Sequence, residues 1–100
     1  MAGFRLTRRA EADMTEIVRY TLDRWGEDQT ARYVDELQSH FELLAESPFA
    51  GRAYIEVDPA LRRIEFQRHV IFYRPEEGGV VILRILHQRM LPIRHPISDD

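Results

Sequence analysis

Residues 62–90 read RRIEFQRHVIFYRPEEGGVVILRILHQRM, and this stretch decides the fold. It divides into three short β-strands folded back on one another. Arg62–Phe66 alternates, with Ile64 and Phe66 on one face and Arg63 and Glu65 on the other. Gln67-Arg68-His69 reads as a turn, and Val70–Arg74 is β-branched and aromatic, as strands are. Pro75–Gly79 supplies a hairpin loop whose glycines can take positive φ. Val80–Leu86 is an almost unbroken apolar run, expected of a central strand covered on at least one face. Only Arg84 interrupts it. Strict alternation places Arg84 with Val80, Ile82 and Leu86 on an open face and turns Val81, Leu83 and Ile85 toward the cover.

The cover lies upstream. Phe4-Arg5-Leu6 is a short extended start that can pair as an edge strand, and Thr7 is a suitable N-cap. From Arg8 to Trp25, Ala10, Met14, Ile17, Thr21 and Trp25 recur in steps of three and four, the spacing of an amphipathic helix. Gly26 stands where a left-handed residue would end it. Asp28 can cap a second helix with the stripe Ala31, Val34, Leu37, Phe41 and Leu44, stopped by Ser47-Pro48. A link this short requires an antiparallel αα-hairpin. Phe49 to Ala60 form a connector. The expected order is β-α-α-β-β-β, an α+β fold in which the αα-hairpin packs on a small, mainly antiparallel β-sheet, as one domain over residues 1–100.

The totals set further bounds. Apolar residues make up 44% and charged residues 31%, ordinary values for a globular chain. Without cysteine there is neither disulfide nor thiol chemistry, and the commonest zinc ligand sets are gone. Four histidines without paired spacing give no reason to expect a metal or other cofactor. No signal peptide or spanning segment is visible, so the expected compartment is the cytoplasm. Residues 1–50 hold ten acids and six arginines, net −4, whereas residues 62–95 hold three acids and seven arginines, net +4. Every basic residue is Arg, which suits bidentate pairing with carboxylate or phosphate. Such a segment on an acidic chain suits an acidic partner surface better than nonspecific duplex binding.

Several residues stand out. An Arg inside an apolar strand must reach solvent, an internal acid or a partner, so Arg84 is a candidate for either internal pairing, with Glu65 as the acid, or partner contact. His87, at a strand end, can serve a partner or simply bond a nearby backbone group. Trp25 and Tyr33 lie on the helical stripes but can also line a partner groove. For hydrolytic chemistry, His69, His87, Tyr73 or a Glu could move protons and Arg could hold a phosphate, yet no Lys is present and no acid–base set is evident from spacing.

Taken together the strings resemble the ParE branch of the ParE/RelE superfamily of type II toxins. The resemblance rests on Tyr20-Thr21 with Trp25-Gly26, on HVIFYR at 69–74 and on ILRILHQRM at 82–90, supported by Leu6-Thr7, Ala12-Asp13-Met14, Tyr33, Leu37, Phe41 and Gly51-Arg52. It implies a toxin that inhibits DNA gyrase by binding, blocks replication, has no catalytic site of its own and is neutralised by a ParD-like antitoxin in a hetero-oligomer. RelE relatives, which cleave mRNA on the ribosome, supply the alternative. The C-terminal Tyr or His-Tyr of that nuclease branch is absent from RMLPIRHPISDD at 89–100. On this resemblance the sheet and the segment Leu86–His95 carry the function. Arg84, His87, Arg89, Met90 and Arg74 are the expected target contacts. Trp25, Tyr33, Leu37, Arg62, Arg63 and Arg84 are the expected antitoxin contacts.

Overall fold

A computed structural model describes residues 2–55, 58–90 and 97. The elements are β1 (Gly3–Leu6), α1 (Arg8–Glu46), β2 (Arg52–Ala53), β3 (Arg62–Phe66), β4 (His69–Glu76) and β5 (Gly79–His87). They form one helical element packed on a five-stranded mixed sheet of order β1-β5-β4-β3-β2. β2 to β5 pair antiparallel, whereas β1 runs parallel to β5, with Phe4 opposite Val80. The expected edge strand is therefore present, and its direction makes the sheet mixed. β2, a pair of residues inside the expected connector, is too short to carry a pattern. The hairpin loop is tighter than expected, because Pro75 and Glu76 already pair with Val80 and Gly79.

The helical region differs from the expected pair of helices joined by a loop. Arg8–Glu46 runs as one helical element kinked at a single non-helical residue, Gly26, at φ 84 and ψ 179. That conformation is essentially confined to glycine. Helical geometry resumes at once, so the break is one residue wide and Asp28 lies inside the helix rather than at its cap. A straight helix of 39 residues would measure about 58 Å, longer than the 38 Å longest extent of the molecule, so the element turns at Gly26. Ala10 and Ile17 before the break share one core with Leu37, Phe41 and Leu44 after it. Thr7 caps the start as its sequence suggests: its Oγ1 accepts from Ala10 N at 3.1 Å and donates to Leu83 O at 2.9 Å.

The sheet has two apolar faces. Ile71, Tyr73, Val80, Ile82 and Ile85 pack beneath α1. Val70, Phe72, Val81, Leu83 and Leu86 pack on the opposite face, joined by Leu61, Tyr54 and Ile97. Strict alternation along β5 gave a different assignment, and the reason is a register shift. Tyr73 pairs with Ile82 but Phe72 pairs with Arg84, leaving Leu83 as an extra residue. Such a bulge changes the parity of everything after it. Val80 and Ile82 therefore face the helix rather than the open side. Of the trio Val81, Leu83 and Ile85, only Ile85 joins the helix-side core. No helix among the described residues is long and apolar enough to cross a membrane.

Candidate functional site

One wall of the site is helical. Asp13, Ile17 and Tyr20 are spaced by four and three residues and so stack on one face of α1. Beyond Gly26, Gln29 and Tyr33 continue the wall, and Trp25 stands at the break. The other wall is the end of the sheet, from His69 on β4 and Arg84, Ile85 and His87 on β5, with Arg68 and Met90 at the rim. Between them lies a groove of about 570 Å³. Its apolar members are unusually bare: Trp25 is 58% exposed, Tyr20 54% and Met90 44%.

Arg84 is held from the helix. Its Nε donates to Asp13 Oδ2 at 2.8 Å and its Nη2 to Oδ1 at 2.9 Å, a two-pronged pair with both side chains largely buried. Asp13 Oδ2 also accepts from Ile85 N at 2.9 Å. The internal acid is thus Asp13, not Glu65, which instead pairs with Arg52 at 2.8 Å and lies 3.7 Å from Arg63. Nothing in local spacing reveals a partner 71 residues away.

Behind this clasp, Tyr33 Oη and His69 Nδ1 are hydrogen-bonded at 2.5 Å. His69 faces His87 directly across the strands, with ring centroids 5.6 Å apart at 80°. Burial lowers His69 to about 4, and the neighbouring His87 pushes in the same direction. Burial raises Tyr33 to about 12. At neutral pH the pair is therefore a neutral imidazole bonded to a protonated phenol. His87 Nδ1 accepts from Arg89 N at 3.2 Å, the backbone role open to a His at a strand end. No group of His, Asp and Glu among the described residues could hold a metal ion.

The other expected contacts divide. Trp25, Tyr33, Arg84, His87 and Met90 all line the groove. Arg74 lies further along β4, opposite Val81. Leu37 is fully buried in the core and reaches no surface, because its position on the stripe faces the sheet. Arg62 holds the connector, donating to Gly51 O at 2.6 Å with its guanidinium over the Phe49 ring. Arg63 lies across Tyr54 and Phe72 on the outer face. Neither lines the groove. Tyr73, considered for proton transfer, is fully buried, donating to Pro48 O and accepting from Gly51 N, both at 2.8 Å. Leu91, Arg94 and His95 lie outside the described residues. Sequence reasoning missed Asp13, Tyr20, Gln29 and Arg68 as wall residues; the steps from Asp13 to Ile17 to Tyr20 were the available signal.

Residues 4–92 match the model of a family described as "ParE toxin of type II toxin-antitoxin system, parDE". Toxin ParE1 of Mycobacterium tuberculosis is 42% identical over 86 residues, covering 85% of this chain and 88% of that protein. Toxin ParE1 of Caulobacter vibrioides is 42% identical over 90 residues, covering 90% and 93%. Among solved structures, the chromosomal ParDE TA system from P. aeruginosa contains a chain that superposes with a TM-score of 0.73 at 22% identity, covering 87% of this chain and 96% of that one. At that identity the likeness speaks for the fold.

Proposed function

This chain belongs to the ParE toxin family of type II toxin–antitoxin systems, and on that premise we propose that it acts in the cytoplasm by binding DNA gyrase and is neutralised by a ParD-like antitoxin seated in the groove. The observation that carries the binding reading is the bare apolar surface of the groove, from Tyr20, Trp25 and Met90, around an Arg84 already bonded to Asp13, and the state of the Tyr33–His69 pair agrees with it. A phenol raised to about 12 and an imidazole lowered to about 4 are both tuned away from proton exchange near neutrality. The groove therefore suits recognition better than the acid–base cleavage of RNA.

The antitoxin segment is acidic and apolar. Exposed Tyr20, Trp25 and Met90 offer anchoring surface. The carboxylates in the wall are already engaged, Asp13 by Arg84 and Glu16 by Arg19. Arg68 stands at the rim without an ion-pair partner among the described residues, so the net unmet charge is positive. His87, Arg89 and Met90 form the face turned to gyrase, with Arg84 behind them and Arg74 further along the sheet. An antitoxin filling the groove covers part of that face, and neutralisation is by occlusion.

The test is a supercoiling and DNA-cleavage assay with purified gyrase and antitoxin-free toxin. Loss of supercoiling with trapped, cleaved DNA is expected. Normal gyrase turnover at excess toxin would sink the reading and direct attention to cuts in ribosome-bound mRNA. For the antitoxin, Trp25→Ala is expected to weaken binding at least about tenfold by calorimetry, the loss of one well-placed aromatic anchor. Wild-type affinity in that variant would remove the groove from the interface.

A further inference from the structure

The bulge in β5 decides what the groove contains. Leu83 is the unpaired residue, inserted between the Tyr73–Ile82 and Phe72–Arg84 pairs. Before it, Val80 and Ile82 face the helix, and after it Ile85 does. Uninterrupted alternation from Val80 would put Ile85 and His87 on the outer face and Leu86 on the inner one. The extra residue reverses this. His87 meets His69 in the groove, and Leu86 joins the outer cluster.

Bulges leave backbone groups out of the ladder, and they persist where something outside the ladder bonds them. Here that something is a single carboxylate. Asp13 takes the Arg84 guanidinium on both oxygens, and its Oδ2 also accepts the Ile85 N–H, so the two residues immediately after Leu83 are bonded to one side chain. Asp13 lies on α1, one turn before Ile17, whose burial fixes the height of the helix over the sheet. We infer that Asp13 is a positioning residue for the partner-binding groove: by capping the β5 bulge it sets the facing of the strand's last residues and turns His87 inward. The consequence for binding rests on the groove being the antitoxin site. The consequence for strand facing does not.

The two can be separated. The first readout is the nuclear Overhauser contact between the His69 and His87 rings, which a general loss of stability does not move while the protein stays folded. The second is affinity for the ParD-like antitoxin. Asp13→Ala is expected to lose the ring contact and to bind at least about tenfold more weakly. Glu76→Gln, which breaks the exposed Arg5–Glu76 pair on the same sheet, is expected to change neither.

Deletion of Arg84 supplies the decisive background. It shortens the strand by one residue so that Leu83 can pair with Phe72, and plain alternation from Ile82 then brings Ile85 and His87 to the helix side with no cap required. In that background Asp13→Ala is expected to have no further effect on either readout. A ring contact that survives Asp13→Ala in the full-length strand overturns the inference. So does an equal loss of affinity on adding Asp13→Ala to the deletion, which would make Asp13 a direct contact. Loss of the ring contact with unchanged antitoxin affinity upholds the positioning role and removes the groove from the antitoxin interface. If Asp13→Ala does not fold, the deletion background carries the comparison: recovery of folding there supports the inference, and failure there as well overturns it.

Discussion

Two tyrosines in this molecule are held in different ways. Tyr73 is closed on every side: its hydroxyl donates to Pro48 O, accepts from Gly51 N, and has no exposure. Arg62 reinforces the same corner by donating to Gly51 O. Tyr33 bonds one partner, His69, and stands in the wall of an open groove beside bare aromatic surface. Both phenols are raised by burial, so the difference is not whether they are desolvated. It is whether the neighbours use up every polar atom. The Tyr73 corner is complete and has only stability to offer, while the Tyr33 end holds groups and apolar surface that the fold itself leaves unused.

The comparison breaks most readily at Gly51. A Cβ there would sit 2.6 Å from Tyr73 Oη and 2.7 Å from Arg63 O. Gly51→Ala is expected to cost about 3 kcal/mol, combining overpacking with a disturbed buried hydrogen bond. Urea denaturation measures it, and the folded protein should keep its antitoxin affinity. A loss below about 1 kcal/mol would mean the corner yields easily and is not the rigid end. Tyr33→Phe gives the converse. One partly buried hydrogen bond goes, for a stability change of about 1 kcal/mol or less, while antitoxin binding weakens. Equal affinity with lower stability would make Tyr33 a second Tyr73.

The last effect is a slope. His69 titrates near 4 in the fold against an ordinary value of 6.5. Between those pH values the unfolded chain holds a proton that the folded chain does not, so stability falls as pH drops from about 6.5 toward 4. Denaturation across that window should show the decline, and His69→Gln should flatten it. The same decline in the variant would assign it to other groups.

Much of the fold could be read from residue order. Thr7 as a cap, the break at Gly26, strand Arg62–Phe66 and the interior strand after Gly79 all follow from local chemistry, and local chemistry is what a sequence displays. The misreadings share a cause: each depends on a residue far away. One extra residue in β5 is invisible in VVILRILH, because apolar side chains suit both faces of a sheet that is covered twice. Arg84 was legible as a problem, but its answer, Asp13, lay on another element. Leu37 and Trp25 occupy similar stripes, and only the turn at Gly26 decides that the first is core and the second is bare. The groove was half legible, since its aromatic and histidine members drew attention while the acid that organises them did not.

The parallel pairing of β1 with β5 has a consequence in time. β1 finds its neighbour only once β5 has been made, with Gly3 waiting for Gly79. Until then α1 lacks Val80, Ile82 and Ile85, the β5 part of the core it covers. Long-range pairings of this kind fold late, because the loop must be closed before any contact rewards it. The Asp13 clasp on Arg84 waits equally long. Synthesis must thus reach β5 before the sheet can close, so the order of the strands delays the folded state until Gly79–His87 is made.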